Sequence, residues 1–342
     1  MKKNIYYVLI AIIFQSFTLK VIADNDKVII AFYNVEKLYD ILDDIDNDND
    51  DDYLPEGDKK WTEKRYLKKI DQLAKVISSI DEKNMPVIMG LSEIENKKVL
   101  DNIINNEKIS SQKYKYIHEE SQDEDGLDVA LLYKTDQFRY INHKSIEINS
   151  SDIKVNSRDI LYIKGIILPD DTVHVYVNHW KSRKGKDTKE IRESAAKNLK
   201  DEIENILAAD KKAKIIVMGD FNDEPTDKSM YNILDANNKR KNTGKEELYN
   251  LFYDKHNVND EGTYIRKDKW YMFDHIIVSQ ELVNEKKGLT TDFNGGKIFK
   301  PNWLLIDNPK ADELIPSKTY GGDTYLGGIS DHLPVYVIFQ IK

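Results

Sequence analysis

The chain has 342 residues, of which 40% are hydrophobic, 32% charged and 10% aromatic. This composition is typical of a globular protein and excludes an intrinsically disordered chain. The absence of cysteine excludes disulfides, thiolate zinc sites and cysteine nucleophiles. The 51 basic and 60 acidic side chains give a net charge of −9. The surface as a whole therefore does not attract polyanions, and any contact with nucleic acid must be local.

The first 23 residues have the pattern of a secretory signal peptide. Lys2 and Lys3 precede a mostly apolar run from Ile5 to Leu19, and the small or modest residues 21–23 follow. An uncleaved membrane anchor is the alternative, but the apolar run is short and contains Gln15. We expect an exported protein, periplasmic or extracellular, without stable membrane association. Residues 24–342 are predicted to form one domain, because no proline- or glycine-rich linker divides them.

The remaining chain alternates between short apolar runs and helical patterns. β-branched runs of this length are typical of buried strands. The predicted strands are Val28–Tyr33, Val87–Leu91, Val173–Val177, Ile215–Met218, Ile276–Val278 and Val335–Phe339. Strands that alternate with helices predict a layered α/β architecture, with the polar residues at the strand ends gathered at one rim.

Two helices are predicted between these strands. The first follows Thr62 as N-cap, with Trp61 and Tyr66 as a hydrophobic staple. Its buried face is predicted to contain Leu67, Ile70, Leu73, Ala74 and Ile77. The second helix is predicted over Thr188–Leu207.

The segment Asp43–Asp52 is strongly acidic. It departs from a calcium-binding loop, because Asn49 replaces the turn glycine and Pro55 stands in the place of the closing glutamate. We interpret it as a solvated acidic loop, with a loose cation site as the alternative.

Polar residues that could bind a ligand or take part in catalysis follow the apolar runs. Asn34 and Glu36 are two residues apart and share a direction in extended backbone, and Glu93 follows the next strand. Alternation along 173–179 places His179 on the same face as three valines, and a basic loop with Lys181 and Arg183 comes next. Such a loop is suited to binding phosphate.

Three further motifs contain acid, amide and imidazole groups. Gly219 allows close approach to its backbone, and it precedes Asp220 and Asn222. The dipeptides Asp274-His275 and Asp331-His332 combine a carboxylate with a titratable base. His275 has no obvious catalytic task, and we interpret it as structural.

The candidate ligands of a metal are oxygen donors: Asn34, Glu36, Glu93, Asp220, Asn222 and Asp331. Such donors favour Mg²⁺, with Mn²⁺ or Ca²⁺ as alternatives, over zinc or copper. The sequence has no G-x-S-x-G elbow, no Gly-Lys-Ser/Thr phosphate loop, no G-x-G-x-x-G and no H-E-x-x-H. A divalent ion, two histidines and a basic loop indicate cleavage of a phosphate ester.

The order of these motifs resembles the endonuclease/exonuclease/phosphatase superfamily, which includes pancreatic-type deoxyribonucleases and abasic-site endonucleases. The matching motifs are YNVE at 33–36, SEIEN at 92–96, DVALLY at 128–133, NHWKSR at 178–183, GDFND at 219–223, FDHIIVS at 273–279 and SDHLP at 330–334. The chain looks most similar to an exported bacterial branch, and PEGDKKWTEKRY at 55–66 supports that placement. The resemblance implies a single-domain, four-layered α/β/β/α sandwich with the site at the mouth between two sheets.

The resemblance also implies a role for each matching residue. Glu93 would be the main metal ligand, with Glu36, Asp331 and Asn34 near the same ion or a second one. Asn34 would also contact the substrate phosphate. Asp220 would orient or deprotonate the attacking water, Asn222 would bind the phosphate together with Lys181 and Arg183, and His332, held by Asp274, would act as base or phosphate contact. His179 would stabilise the transition state or protonate the leaving oxygen. Asp128 is our candidate for the carboxylate partner of His179.

The leading hypothesis is a secreted, metal-dependent phosphodiesterase that acts on DNA or RNA. A cationic cluster at the cleft would bind the polyanion, and its candidates are Lys181, Arg183, Lys184, Lys186 and Arg192. A phosphatase or phospholipase C-type enzyme acting on a small or lipid phosphoester is the alternative, and a catalytically inactive binding module is a third. The sequence indicates no obligate protein partner.

Overall fold

The computed structural model describes residues 27–45, 47–81, 83–150, 155, 157–240, 247–284 and 287–342. The predicted signal peptide, residues 1–23, lies outside these ranges. Within them, no helix combines the length and the apolar character needed to cross a membrane.

The strands are numbered here in chain order over the described residues. They are β1 Lys27–Leu38, β2 Ile88–Ile94, β3 Tyr114–His118, β4 Asp128–Lys134, β5 Phe138–Ile146, β6 Ile160–Ile167, β7 Asp171–His179, β8 Lys214–Asp220, β9 Ala236–Asn237, β10 Leu248–Asn250, β11 Tyr264–Arg266, β12 Lys269–Tyr271, β13 Asp274–Ser279, β14 Leu289–Thr290, β15 Gly296–Ile298, β16 Leu305–Asp307, β17 Leu314–Pro316, β18 Tyr320–Gly321, β19 Thr324–Tyr325 and β20 Val335–Ile341.

The α-helices are α1 Glu63–Ser79, α2 Lys97–Ile104, α3 Thr188–Ala209, α4 Tyr253–Asn257 and α5 Glu281–Asn284. Short 3₁₀ turns lie at Asp51–Tyr53, Ser110–Gln112 and Asn302–Leu304, and a π-helical turn lies at Ser229–Ile233.

Two large sheets form the centre of the protein. The first sheet has the strand order β14-β20-β1-β2-β4-β3, with β15 also paired to β20. The second sheet has the order β5-β6-β7-β8-β13-β10-β9. Each sheet has a parallel pair at its centre, β1 with β2 and β7 with β8. Polar residues at the carboxyl ends of these four strands can therefore meet at one rim.

Three apolar cores separate four layers. Alternate residues of β1 face opposite ways: Ile30 packs between the sheets, and Ala31 packs against α1 and α2. In the second sheet, Met218 faces the first sheet, and Val217 packs against α3. This alternation is expected for strands covered on both faces. The α/β/β/α sandwich expected from the resemblance is confirmed.

All six predicted strands are present, and several are longer than predicted. β1 continues through Asn34 and Glu36 to Leu38, and β2 continues through Glu93 to Ile94. β7 and β8 likewise include His179 and Asp220, which are paired directly across the sheet. The backbone hydrogen bonds continue past the last apolar residue, which a pattern of hydrophobicity does not reveal.

Both predicted helices are present, with one error in the buried face of α1. Trp61 and Tyr66 contact each other edge to face with ring centroids 6.5 Å apart, as expected for a staple. Thr62 occupies the N-cap position, but its side chain makes no capping hydrogen bond. Leu67 is 50% exposed, contrary to prediction, because it lies about 100° around the helix from Tyr66, beyond the edge of the buried stripe. Lys69 is buried instead.

The acidic segment is mostly exposed, as expected for a solvated loop, but Asp50 is only 1% exposed. Its carboxylate accepts a hydrogen bond from the backbone N–H of Asp44, 3.0 Å away. One acidic side chain therefore serves to fold the loop back on itself.

Candidate active site

Three predicted catalytic residues occupy neighbouring positions on adjacent strands. His179 on β7 pairs with Asp220 on β8, and Asp220 pairs with Asp274 on β13. The close pairing of β7 and β8 requires Gly219, because a Cβ atom there would lie 2.4 Å from the carbonyl oxygen of Asn178. The second sheet therefore aligns two carboxylates and an imidazole at its rim.

Asn34 joins this row to the first sheet. Its Nδ2 donates to Glu93 Oε1 at 2.9 Å and to Asp220 Oδ2 at 3.0 Å, and its Oδ1 accepts from the backbone N–H of Glu36. Both amide hydrogens are thus engaged by carboxylates, and the residue has no exposed surface. The structure therefore places Asn34 as a bridge between the sheets, and not as a free contact for the substrate phosphate.

His332 lies between two carboxylates. Its Nδ1 is 2.8 Å from Asp274 Oδ2, and its Nε2 is 3.7 Å from Asp220 Oδ2. Burial opposes the positive charge, but the two carboxylates outweigh burial and raise the pKa of His332 well above its usual value. Burial, with Asp274 adding to it, raises the pKa of Asp220 to about 7, although His332 opposes the shift.

His179 faces the same carboxylate from the other side. Its Nε2 is 3.6 Å from Asp220 Oδ2 and 3.9 Å from Glu93 Oε1. Its buried Nδ1 has no hydrogen-bond partner among the residues that the structure describes. Burial, reinforced by Arg158, lowers the pKa of His179 well below its usual value, so the ring is neutral.

The predicted partner of His179 is wrong. Asp128 accepts hydrogen bonds from the hydroxyl and the backbone N–H of Ser121 and lies 3.8 Å from His118. The side chain of Asp128 falls on the helix-covered face of the first sheet, because it precedes Ala130 by two residues and Ala130 packs on that face. The DVALLY motif therefore could not bring this carboxylate to His179.

Glu93 is presented by an irregularity in the strands. The pairing of β1 with β2 shifts register between Asn34 and Leu38, and Glu93 has a positive φ of 65°. Its Oε2 accepts from the backbone N–H of Lys37 at 2.7 Å. Left-handed backbone at non-glycine residues is costly and is common at functional sites. The bulge turns Glu93 toward Asn34 and His179.

The other two predicted metal ligands lie in different surroundings. The carboxylate of Glu36 accepts from the backbone N–H groups of Thr319 at 2.6 Å and Tyr320 at 3.3 Å. Asp331 lies beside His332. Three groups of acidic and histidine side chains in the described part of the chain have ligand atoms within 4.8 Å of one another, and Glu36, Glu93 and Asp331 do not form one of them. The predicted trio is therefore not a preformed metal cage.

The chemistry of these acids nevertheless fits a divalent cation. Burial, followed by the charge of Asp331, raises the pKa of Glu36 to about 7. Burial also raises the pKa of Asp331; Glu93 adds to the shift, and His332 opposes it. Carboxylates that repel one another in a buried site are what a hard cation neutralises. The Asp220–Asp274–His332 group needs no ion, because hydrogen bonding accounts for its proximity.

A cavity of about 290 Å³ opens at this rim, and we call it the cleft. It is lined by Lys37, Glu93, Asp125, Leu127, Arg158, His179, Lys181, Ser182, Arg183, Lys184, Asp220, Asn222, Tyr264, Arg266, Phe273, Asp331 and His332. Most predicted site residues are in this set. Asn34, Glu36 and Asp274 are not, and Asn34 and Asp274 support residues that line the cleft.

Two residues of the predicted cationic cluster lie elsewhere. Arg192 is 5% exposed, and its Nε is 2.8 Å from Asp223 Oδ1. The side chain of Lys186 is 92% exposed and pairs weakly with Asp187. Arg192 lies on α3, which turns its side chain into the protein, whereas Lys186 lies in the loop before that helix. Neither residue lines the cleft, and the burial of Arg192 against Asp223 contradicts the prediction that Arg192 contacts substrate there.

Arg183 lines the cleft but is already engaged. Its Nε donates to the carbonyl oxygen of Asn222 at 2.7 Å, and its guanidinium pairs with Asp227 and with Asp223. Asn222 in turn donates to the carbonyl oxygen of Trp180 at 3.0 Å and adopts a positive φ of 50°. Arg183 therefore fixes the loop after β8. The other cations on that wall are Lys181, whose Nζ is 4.0 Å from Asp123 Oδ1, and the exposed Lys184.

The interpretation of His275 as structural agrees with its contacts. It is fully buried, its Nε2 lies 2.6 Å from the carbonyl oxygen of Met272, and its Nδ1 faces the amide of Asn250.

The sequence motifs missed Lys37, Arg158, Tyr264 and Arg266, which lie outside the acid- and histidine-containing motifs. Their basic and aromatic character was visible, but their position at the cleft depends on loop paths.

These features place acids, amides and imidazoles at one cleft between two sheets, and comparisons with known proteins show the family to which this arrangement belongs. The Endonuclease/Exonuclease/phosphatase family model matches residues 29–341, so the chain belongs to that family. No curated protein sequence matches the chain.

Several solved structures share the fold. The human Nocturnin catalytic domain with bound sulfate is 16% identical, with a TM-score of 0.56 over 92% of this chain and 95% of that one. An endonuclease/exonuclease/phosphatase family protein from Bacteroides thetaiotaomicron is 15% identical, with a TM-score of 0.57 over 92% and 95%. D. rerio TDP2 complexed with single-strand DNA product is 14% identical, with a TM-score of 0.56 over 92% and 98%. At these identities the likeness extends to the fold alone.

Proposed function

We propose that the protein is an exported, metal-dependent phosphodiesterase that hydrolyses nucleic acid. The observation that carries this proposal is the arrangement of two imidazoles around one carboxylate: Asp220 lies 3.6 Å from His179 and 3.7 Å from His332 at the cleft. A general acid, a general base and a charged group that can bind phosphate are thus close enough to act on a single phosphate group. Family membership supports a phosphoester hydrolase, while the substrate and the metal are our inference.

Each group has a distinct task in this mechanism. Asp220, fixed by Asn34 and by the backbone N–H of Asn222, orients the attacking water and accepts its proton. His332, charged and held by Asp274, binds the non-bridging phosphate oxygens. The neutral ring of His179 donates a hydrogen bond to the developing oxyanion. A divalent ion held by Glu93 and Asp331, with Glu36 behind them, would supply further charge stabilisation.

The cations around the cleft favour a nucleic acid. Six of its lining residues are basic, namely Lys37, Arg158, Lys181, Arg183, Lys184 and Arg266, and four are acidic. Arg158 and Arg183 are paired with acids beside the cleft, and the other four cations line it in a chain with a net charge of −9. Contacts between cations and phosphates dominate the affinity of proteins for nucleic acid. The shared fold with D. rerio TDP2, whose structure contains a single-strand DNA product, is consistent with this choice.

A phosphatase that acts on a small phosphoester is the second candidate. The small volume of the cleft, about 290 Å³, favours it, because such a cavity accommodates little more than one nucleotide-sized group.

The test compares the wild-type protein with Asp220→Asn on supercoiled plasmid DNA, a folded RNA and a soluble phosphomonoester. Each substrate is incubated with Mg²⁺, with Ca²⁺, with both and with a chelator. Asp171→Asn is the matched control, because Asp171 is a buried aspartate at the opposite end of β7. We expect metal-dependent cleavage of a polymer that Asp220→Asn loses and Asp171→Asn retains. Cleavage of the monoester alone would replace the nuclease by the phosphatase, and full activity of Asp220→Asn would refute the mechanism.

Export is tested separately. We expect protein recovered from outside the inner membrane to begin near residue 24 on N-terminal sequencing. Recovery of uncleaved protein from the cytoplasm alone would contradict this part of the proposal.

A further inference from the structure

A histidine away from the cleft is buried without a hydrogen-bond partner. His118 ends β3 and is 3% exposed, and neither of its ring nitrogens has a hydrogen-bond partner among the described residues. Burial lowers the pKa of His118 to about 4, with Lys97 contributing, so the ring is neutral. A buried imidazole without partners is unfavourable, and each such group requires an explanation.

Two carboxylates flank this ring beyond hydrogen-bond distance. His118 Nδ1 is 3.7 Å from Glu120 Oε1, and Nε2 is 3.8 Å from Asp128 Oδ2. The three side chains each offer a ligand atom within 4.8 Å of the other two. Asp128 is held in place by hydrogen bonds from the hydroxyl and the backbone N–H of Ser121. A carboxylate oriented by a neighbouring hydroxyl is typical of a metal ligand with a supporting shell.

This group is separate from the active site. Ala130 pairs with His118 and packs on the helix-covered face of the first sheet, as does Tyr116, two positions before His118 along β3. Asn34 instead lies on the face of β1 that carries Ile30 and Phe32, between the two sheets. The first sheet therefore stands between the His118 group and the row formed by His179, Asp220 and Asp274.

A path from solvent leads to the group. Glu120 and Ser121 line an open cavity of about 560 Å³ whose other walls include Asp40, Asp44, Glu95 and Asp123. The side chain of Glu120 is 64% exposed. Negative charge on these walls concentrates cations at the entrance, and the buried imidazole is 3.7 Å from the Glu120 carboxylate.

We propose that His118, Glu120 and Asp128 bind a first-row transition-metal ion, with Zn²⁺ as the best match. One neutral imidazole and two carboxylates form a donor set that Zn²⁺ and similar ions accept, whereas Mg²⁺ and Ca²⁺ prefer oxygen alone. The ion would bind one of the two unpartnered ring nitrogens and would neutralise the two neighbouring carboxylates. The site is independent of the metal proposed for catalysis.

The position of the site suggests its purpose. His118 and Asp128 are the residues at which β3 ends and β4 begins, so the ion would fasten the base of the loop 119–127. The same loop contributes Asp125 and Leu127 to the lining of the cleft. Binding of the ion would therefore restrain the loop that forms one wall of the cleft, although the ion itself lies on the opposite face of the sheet.

The test is a Zn²⁺ titration of the full chain by calorimetry, together with thermal melts with and without Zn²⁺. The variants are His118→Gln and Glu120→Gln, and the exposure of Glu120 makes the second safe for folding. Glu119→Gln is the matched control, because Glu119 is adjacent and acidic but pairs with His143 at 2.7 Å. Glu93→Gln removes the predicted catalytic ligand and reports on the other site.

We expect wild-type protein to bind a Zn²⁺ ion whose dissociation constant rises at least tenfold in His118→Gln and Glu120→Gln. Glu119→Gln and Glu93→Gln should retain this ion, and Zn²⁺ should raise the melting temperature of both. Unchanged Zn²⁺ binding in His118→Gln and Glu120→Gln, or loss of all binding in Glu93→Gln, would overturn the proposal. Equal binding of Ca²⁺ and Zn²⁺ would also overturn it, because acids alone would then account for the affinity.

Discussion

The hydrogen bond between Asp274 and His332 allows a quantitative prediction. Asp274→Asn preserves the shape of the side chain but removes its negative charge. That charge orients the ring of His332, whose Nδ1 lies 2.8 Å from Asp274 Oδ2, and favours the protonated form of the ring. The asparagine amide can accept the hydrogen bond from His332 Nδ1 through its uncharged oxygen. If the amide is flipped, its NH₂ group donates to Nδ1 and the ring proton must lie on Nε2. A hydrogen bond to a charged group contributes about 1.5–3 kcal/mol. At about 1.36 kcal/mol per factor of ten, kcat/KM should fall about 10- to 150-fold.

The assay is the initial rate of hydrolysis of the best substrate under saturating metal, with urea unfolding of each variant in parallel. Asp171→Asn again serves as control, since Asp171 pairs with Lys214 and accepts from the backbone N–H of Leu289 far from the cleft. It should lose stability while keeping kcat/KM. If Asp274→Asn retained kcat/KM within threefold of wild type, the role assigned to the pair would be refuted.

Three further predictions concern binding, packing and pH. Lys181→Ala should weaken binding to nucleic acid in filter-binding titrations and reduce the slope of log Kd against log salt by about one, because Lys181 lines the cleft. The side chain of Lys186 is 92% exposed outside the cleft, so Lys186→Ala should leave both quantities unchanged. Ile70→Ala should cost about 2–5 kcal/mol in urea unfolding, but Leu67→Ala less than about 0.5 kcal/mol; equal costs would contradict the register of α1. Burial, aided by Lys164, lowers the pKa of His174 to about 4, so its contribution to stability is complete above pH 6.5 and is lost as the pH falls toward 4. The urea midpoint of wild type should therefore fall more over this range than that of His174→Gln, and parallel curves would contradict the assignment.

The strands and helices of this fold were accessible from periodicity. Runs such as Ile215–Met218 are apolar on both faces, and a strand between two cores is the simplest arrangement that buries them. The boundaries were less accessible, because β1 and β2 continue into polar residues through backbone pairing. Leu67 shows the limit of a helical pattern: the residue is apolar and correctly spaced from Ile70, yet it lies outside the buried stripe.

The chemistry of the site was predicted better than its connections. The motifs around His179, Asp220 and His332 do converge, since each residue lies at or close to the end of a central strand at the same rim. The partner of His179 could not be predicted, because the face on which Asp128 lies depends on its register in β4. Arg192 was misplaced for a related reason. A helix places each side chain by angle, and sequence proximity to a basic loop carries no information on that angle.

The bridge made by Asn34 depends on how closely the two sheets approach, and Gly90 sets that approach. A Cβ atom at Gly90 on β2 would lie 2.7 Å from Met218 Sδ on β8 and 3.0 Å from the ring of Phe32. Met218 is two residues from Asp220, and Gly90 is three residues from Glu93. Any force that separates these strands therefore lengthens the distance that the amide of Asn34 spans between the two carboxylates.

Gly90→Ala should accordingly cost about 1–3 kcal/mol through overpacking and reduce kcat beyond what the loss of stability explains. Gly165→Ala is the matched control: its Cβ would lie 2.1 Å from the ring of Phe138, and Gly165 pairs with Val173, about 20 Å along β7 from His179. That variant should lose stability and keep kcat. Met218→Ala in the Gly90→Ala background should restore part of the rate by relieving the clash. If Gly90→Ala and Gly165→Ala affected kcat equally, the separation of the sheets would not control the active site, because only the former lies beneath the Asn34 bridge.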